Sequence, residues 1–144
     1  MLPNPFPTMI FLLIVTVDDG ALTSIPHEFP TLKKLSRMLT EVVDRSLREG
    51  TVRLENYSVA AKTGTAQIAR PDVAGYYDDR YLHSFFGYFP SYDPKFLVFL
   101  YTYHPKGVQY ASETLTESFM NITKFLINYY NISPDRETAP PVRM

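Results

Sequence analysis

The sequence predicts an α+β fold, an antiparallel sheet with helices packed on it, and three observations carry that reading. Two stretches, 31–49 and 113–130, repeat apolar residues at three- and four-residue spacing, and the runs between and before them are rich in β-branched and aromatic residues. Aromatics are abundant, with 11 Tyr and 10 Phe but no Trp, which suits pleated, half-buried surfaces better than a helical bundle. At 144 residues and 45% hydrophobic content the chain can build one core, and nothing in it suggests two.

The elements follow in order. Residues 1–30 form a hairpin-like lead-in: Pro3, Pro5 and Pro7 keep the start extended, and 9–17 (MIFLLIVTV) reads as a buried strand. Asp18-Asp19-Gly20 then supplies a tight turn, and 21–25 returns as a hairpin partner. A helix is expected over 31–49, with Thr31 as N-cap, Leu32, Leu35, Leu39, Val42, Val43 and Leu47 on its buried face, and Gly50 as its left-handed C-cap. Residues 57–68 read as an interrupted strand, 69–81 as a loop rich in charge and tyrosine, and 83–89 and 96–103 as two strands joined by a proline-flanked turn. The last helix covers about 113–130, with Ser112 as its cap and Leu115, Phe119, Ile122, Leu126 and Tyr129 as its buried stripe. A polar, mobile tail follows over 133–144. Both helices are expected on one face of the sheet.

Composition narrows the function. A formal net charge of -1 offers no basic field for nucleic acid. Absence of cysteine removes disulfides, a thiolate nucleophile and cysteine zinc sites. His27, His83 and His104 are scattered without metal-ligand spacing, and Asp18-Asp19 and Asp78-Asp79 read as solvated turn carboxylates, so no metal or organic cofactor is expected. The apolar run at 9–17 is about half the length of a bilayer-spanning helix and lacks a preceding Lys or Arg, so no membrane segment or signal peptide is expected. Tyr76, Tyr77 and Tyr81 either line a groove or pack onto their own sheet. Sequons stand at Asn56, Asn121 and Asn131 and would matter only in a eukaryotic secretory protein.

One motif carries chemistry: Lys62-Thr63-Gly64-Thr65, within Val59-Ala60-Ala61-Lys62-Thr63-Gly64-Thr65-Ala66-Gln67. A strand bordering a cleft can pair with an extended peptide. A glycine there clears the approach, a lysine and flanking threonines suit a terminal carboxylate, and a backbone N–H aimed into the cleft can stabilise the oxyanion of acyl transfer. The motif follows a helix ending in Glu49-Gly50-Thr51 and precedes Ser84-Phe85-Phe86-Gly87-Tyr88-Phe89-Pro90 and Asp93-Pro94-Lys95-Phe96.

This ordered set, with the final helix and the run from Tyr129 to Pro134, resembles the class B penicillin-binding proteins, the serine D,D-transpeptidases that cross-link peptidoglycan. The resemblance runs from about Thr31 to Arg136. It implies the C-terminal part of a transpeptidase domain, a partial fold of the serine β-lactamase-like kind. Lys62 would set the electrostatics of the pocket and help proton movement. Thr63 and Thr65 would bind the D-Ala carboxylate of a stem peptide or its β-lactam equivalent. Gly64 would give clearance, the Thr65 N–H would form half of the oxyanion hole, and Gln67 with 69–81 would line the exit of the cleft. Ala61 stands where the family often has glycine. The implied partners are a peptidoglycan stem peptide or a β-lactam, and the missing N-terminal part of the same domain. The parent protein would act at the outer face of the bacterial cytoplasmic membrane.

What the sequence lacks is equally specific. None of its nine serines has lysine three residues on, and no Ser-x-Asn precedes Lys62. Acyl transfer needs an activated nucleophile beside its base, so this chain by itself is expected to be catalytically inactive. Two other readings stay open: a non-catalytic peptide- or β-lactam-binding or complementing module, and a relative of D,D-carboxypeptidases or serine β-lactamases. Lacking a strand and the serine-bearing helix, the sheet is expected to expose an apolar face and aggregate when expressed alone.

Overall fold

The computed structural model describes residues 10–17 and 30–136. The expected turn at 18–20 and the hairpin partner at 21–25 lie outside the described residues. Among the described residues four strands form one sheet: β1 (Ile10–Thr16), β2 (Ala60–Ala69), β3 (Tyr76–Phe89) and β4 (Phe96–Tyr103). Their spatial order is β1-β4-β3-β2 and every pairing is antiparallel. The helices are α1 (Pro30–Glu41), α2 (Ala111–Thr114) and α3 (Thr116–Tyr129).

Period-two alternation divides the sheet into two faces. His83, Phe85, Gly87 and Phe89 of β3 lie opposite Thr102, Leu100, Val98 and Phe96 of β4, and all are buried. Here α3 covers the sheet, with Phe119 stacked on Phe85 at 4.3 Å between ring centres. Gly87 makes that contact possible, because a Cβ there would lie 2.4 Å from Phe119 Cζ and 2.8 Å from the Ala61 Cβ. The other face carries Ser84, Phe86 and Tyr88, and α1 lies on this side: Ser36 Oγ and Tyr88 Oη are 3.0 Å apart. The two helices therefore sandwich the sheet, and the expectation that both pack on one face is corrected. Sequence periodicity places a stripe on each helix but carries no information about which face of the sheet receives it.

The boundaries explain the other departures. The first helix starts at Pro30, a residue before the expected cap, since proline suits a first turn that needs no N–H from it. It continues as a π-turn over Val42–Ser46 and a 3-10 turn over Leu47–Gly50. Only the later part of its stripe is buried: Val43 and Leu47 join the core, whereas Leu32 and Leu35 are each 48% exposed. Gly50 has φ +78°, and a Cβ there would meet Asp44 O at 2.6 Å, but it does not cap the helix as expected: extended Leu47 follows Ser46, and Arg48 and Glu49 are already left-handed. The expected loop at 69–81 is largely strand. Tyr76 to Tyr81 extend β3, a bulge between Gln67 and Ala69 shifts the register, and the connection shrinks to 70–75. Tyr77 and Tyr81 pack on their own hairpin, where Arg80 lies 3.9 Å from the Tyr77 ring centre and Tyr81 Oη donates to Asp78 O at 2.9 Å, while Tyr76 is exposed.

The final helical segment begins at Ala111, before the expected Ser112 cap, and breaks at Leu115. Its inner face is Leu115, Phe119, Met120, Leu126 and Ile127, while Tyr129 is 68% exposed and stacks on Phe125 instead. The described start of the expected tail is bonded to the fold. Asp135 accepts from the Ser58 N–H (2.7 Å) and the Ser58 hydroxyl, and Arg136 grips both carboxylate oxygens of Asp44 at 2.9 and 2.7 Å. Charge-assisted bonds to a buried serine and a half-buried carboxylate hold this stretch where composition alone suggested mobility. At the far edge, β1 is exposed along its whole length, with Leu13 at 56%, and Phe11 stacks on Tyr101 at 4.6 Å.

Candidate active site

The motif lies on β2, the edge strand opposite β1. The inner edge of β2 pairs with β3, Lys62 to Phe86, Thr63 to Phe85, Gly64 to Ser84 and Thr65 to His83, leaving the outer edge open among the described residues. Backbone groups on alternate residues of a strand point the same way. Lys62 Nζ donates to Thr63 O at 2.7 Å, and Thr63 and Thr65, two residues apart, present their main-chain groups on one side.

Lys62 and Thr63 border a groove of about 700 Å³, closed on its other sides by Ser46, Leu47, Arg48, Ser112 and Glu113. One donor hydrogen of Lys62 is spent on Thr63 O, so the ammonium keeps two for a ligand. Thr65 is tied differently. Its Oγ1 accepts from the Ala111 N–H at 3.0 Å, satisfying one of the unpaired amides at the start of α2. A hydroxyl committed as acceptor on one side retains its own O–H to donate, the polarity an anion needs.

Gly64 meets a neighbour that sequence reading missed. A Cβ there would approach Ser84 Oγ to 2.6 Å, so glycine makes room for the facing serine as well as for anything above the strand. Gln67 is not gathered into the groove; its Nε2 donates to Tyr77 O at 3.3 Å, across the hairpin. Of the expected site residues, the fold brings Lys62 and Thr63 to one groove, fastens Thr65 to α2 and turns Gln67 to β3.

Behind Thr65 sits His83, fully buried. Its Nε2 is 2.9 Å from Gln109 O and its Nδ1 is 2.9 Å from Thr114 Oγ1. A carbonyl only accepts, so Nε2 carries the hydrogen, while Nδ1 faces the Thr114 hydroxyl, which also donates to Ala111 O at 3.3 Å. Burial pushes its pKa below the ordinary 6.5, against the raising effects of the Gln109 carbonyl and the Glu113 charge. His83 therefore steadies the 109–114 turn that holds Thr65. Arg48, Ser112 and His83 lie far from the motif in sequence, and no local pattern marks them.

Among the described residues, the groove serines are Ser46 and Ser112, and the Lys62 ammonium bonds to Thr63 O rather than to either; Ser58 and Ser91 lie away from it, in a buried network with Asp135 and Thr40. The groove thus presents a lysine ammonium with donor hydrogens to spare, the chemistry an anion needs.

Comparison with known proteins agrees with this geometry. The family model described as the penicillin binding protein transpeptidase domain matches residues 10–124. Penicillin-binding protein PbpB of Mycolicibacterium smegmatis is 27% identical over 131 residues, covering 88% of this chain and 20% of that protein. Peptidoglycan D,D-transpeptidase FtsI of Buchnera aphidicola (subspecies Baizongia pistaciae) is 29% identical over 105 residues, 72% of this chain and 18% of the relative. The chain thus spans about a fifth of the length of these curated relatives. Among solved structures, penicillin-binding protein 3 of Mycobacterium tuberculosis complexed with ampicillin superposes with a TM-score of 0.58 at 27% identity, over 75% of this chain and 26% of that one. The transpeptidase domain of Burkholderia pseudomallei penicillin-binding protein 3 gives 0.56 at 25% identity, over 71% and 30%. With the sheet, its flanking helices and the family match all coinciding, this chain belongs to the penicillin-binding protein transpeptidase domain family.

Proposed function

We propose that this chain forms the carboxylate-binding and oxyanion-stabilising edge of a peptidoglycan D,D-transpeptidase site. The observation that carries the reading is the open edge of β2, where Lys62 and Thr63 border a groove and Thr65 is held as a hydroxyl donor by Ala111. Lys62 attracts the terminal carboxylate of a D-Ala-D-Ala stem peptide, and the Thr63 and Thr65 hydroxyls donate to it. The Thr65 N–H faces the carbonyl oxygen that becomes an oxyanion, and Gly64 keeps the strand surface low. In the parent reaction a serine oxygen attacks the penultimate D-Ala carbonyl carbon, terminal D-Ala leaves, and the amine of a neighbouring strand then displaces the serine. That serine is not in this chain, which contributes binding and polarisation. Ampicillin and aztreonam in related solved structures support a β-lactam as an alternative ligand of the same edge. The parent protein acts outside the cytoplasmic membrane; among the described residues no helix is long and apolar enough to cross one.

The test is NMR titration with acetyl-D-Ala-D-Ala, together with exposure to a fluorescent penicillin. Amide shifts centred on Thr63 to Thr65, lost in Lys62→Gln, are the expected result, with no covalent label. An acyl adduct on any of the nine serines, or shifts that avoid β2, would refute the assignment.

A further inference from the structure

The groove beside Lys62 holds a second cation whose placement is conformationally costly. Arg48 has φ 46°, ψ 43°, Glu49 has φ 58°, ψ 31°, and Gly50 follows at φ +78°. Three successive left-handed residues are unusual, and only the glycine is at ease there. The turn is nevertheless locked. Thr51 clamps Arg48 O with both its N–H (3.2 Å) and its hydroxyl (2.7 Å), and Gly50 packs where a Cβ would strike Asp44 O. Glycine at position 48 would make the same turn without strain, so the backbone alone gives no reason for arginine.

The side chain supplies one. Arg48 lines the same groove as Lys62, and one guanidinium nitrogen, Nη2, lies 3.4 Å from Glu113 O. That single long contact leaves most of the five N–H donors available, in a fork that matches a carboxylate. Glu113 is the one acid lining the groove among the described residues, and its Oε2 accepts from the Tyr110 N–H at 3.2 Å, the N-terminal flank of α2. Ser46 and Ser112 also line the groove. Strain retained at a position where it aims a functional group is the pattern expected of a binding site.

We infer that Arg48 forms a second anion subsite in the Lys62 groove, taking a further carboxylate of a peptide whose terminal carboxylate lies on the β2 edge. The inference rests on the carboxylate-binding reading of that edge. It selects extended peptides carrying two carboxylates over those carrying one.

The experiment compares dissociation constants of acetyl-D-Ala-D-Ala, with one carboxylate, and succinyl-D-Ala-D-Ala, with two, by NMR titration of the full chain. The unsubstituted chain is expected to prefer the succinyl peptide by about tenfold, from one charge-assisted bidentate contact. Arg48→Gln abolishes that preference, weakening the succinyl peptide more than the acetyl peptide, because only the succinyl peptide loses a charge-assisted contact. Lys62→Gln weakens both peptides. Arg48→Gly also loses the preference while raising Tm by about 3 °C, as strain is relieved; a purely structural arginine would lower it. Equal binding of the two peptides by the unsubstituted chain, or a preference surviving in Arg48→Gln and Arg48→Gly, overturns the Arg48 subsite alone. Binding of neither peptide overturns it together with the carboxylate reading of β2.

Discussion

Substituting Gly87 by alanine tests the packing that holds the motif strand in place. Gly87 faces Ala61, the residue before Lys62, and lies under the ring of Phe119. An added Cβ would sit 2.4 and 2.9 Å from Phe119 Cζ and Cε2, and 2.8 Å from the Ala61 Cβ. Carbon atoms in contact prefer about 3.5–4.0 Å, so the ring must retreat by about 1 Å. It has nowhere easy to go, because Phe119 is fully buried and stacked on Phe85. Overpacking of this kind costs about 1–3 kcal/mol, and pressure from two sides places Gly87→Ala near the top of the range. Reduced freedom of the unfolded chain returns about 0.5–1 kcal/mol, for a net loss of about 2 kcal/mol. For a domain of this size that lowers Tm by about 6 °C. Urea unfolding followed by far-UV circular dichroism measures it, tryptophan being absent. Gly87→Ala paired with Phe119→Leu should lose about 1 kcal/mol less than the sum of the single losses, since the smaller side chain vacates the space. A Gly87→Ala protein within 0.5 kcal/mol of the parent, or strict additivity in the cycle, would refute the account.

Two further outcomes follow from the polar contacts. Asp135→Ala removes both bonds to buried Ser58 and is expected to cost about 1–2 kcal/mol in the same urea assay, discounted for the aspartate's exposure; an unchanged midpoint would show the tail contact to be incidental. His83 is held neutral in the folded state with its pKa pushed below 6.5, mainly by burial. Its contribution is therefore complete above pH 6.5 and is lost as pH falls from there through the lower folded value, because the unfolded chain binds the proton first. Thermal melts across that window should show a shallower acid decline in His83→Gln than in the parent, and parallel slopes would contradict a neutral buried ring.

The motif and the strand that bears it were legible in the residues themselves, and so was β4, whose expected span 96–103 coincides with Phe96–Tyr103. Dense β-branched and aromatic runs bounded by prolines announce a strand locally. The start of β3 was hidden, because Asp78-Asp79-Arg80 reads as loop, yet the edge of a hairpin tolerates charges that face water. The stripe of α1 was read at the right spacing, but only Val43 and Leu47 reach the core. Period and propensity are properties of neighbours in the chain, and these are what the sequence by itself determined: the class of fold, most elements and the motif Lys62 to Thr65. Which face of the sheet each helix covers, the bond from Ala111 to Thr65, the His83 buttress and the approach of Arg48 to Lys62 depend on contacts between residues 14 to 52 positions apart. Only the tertiary structure decided those, because a contact between distant residues is selected by the packing of the whole chain and leaves no local mark.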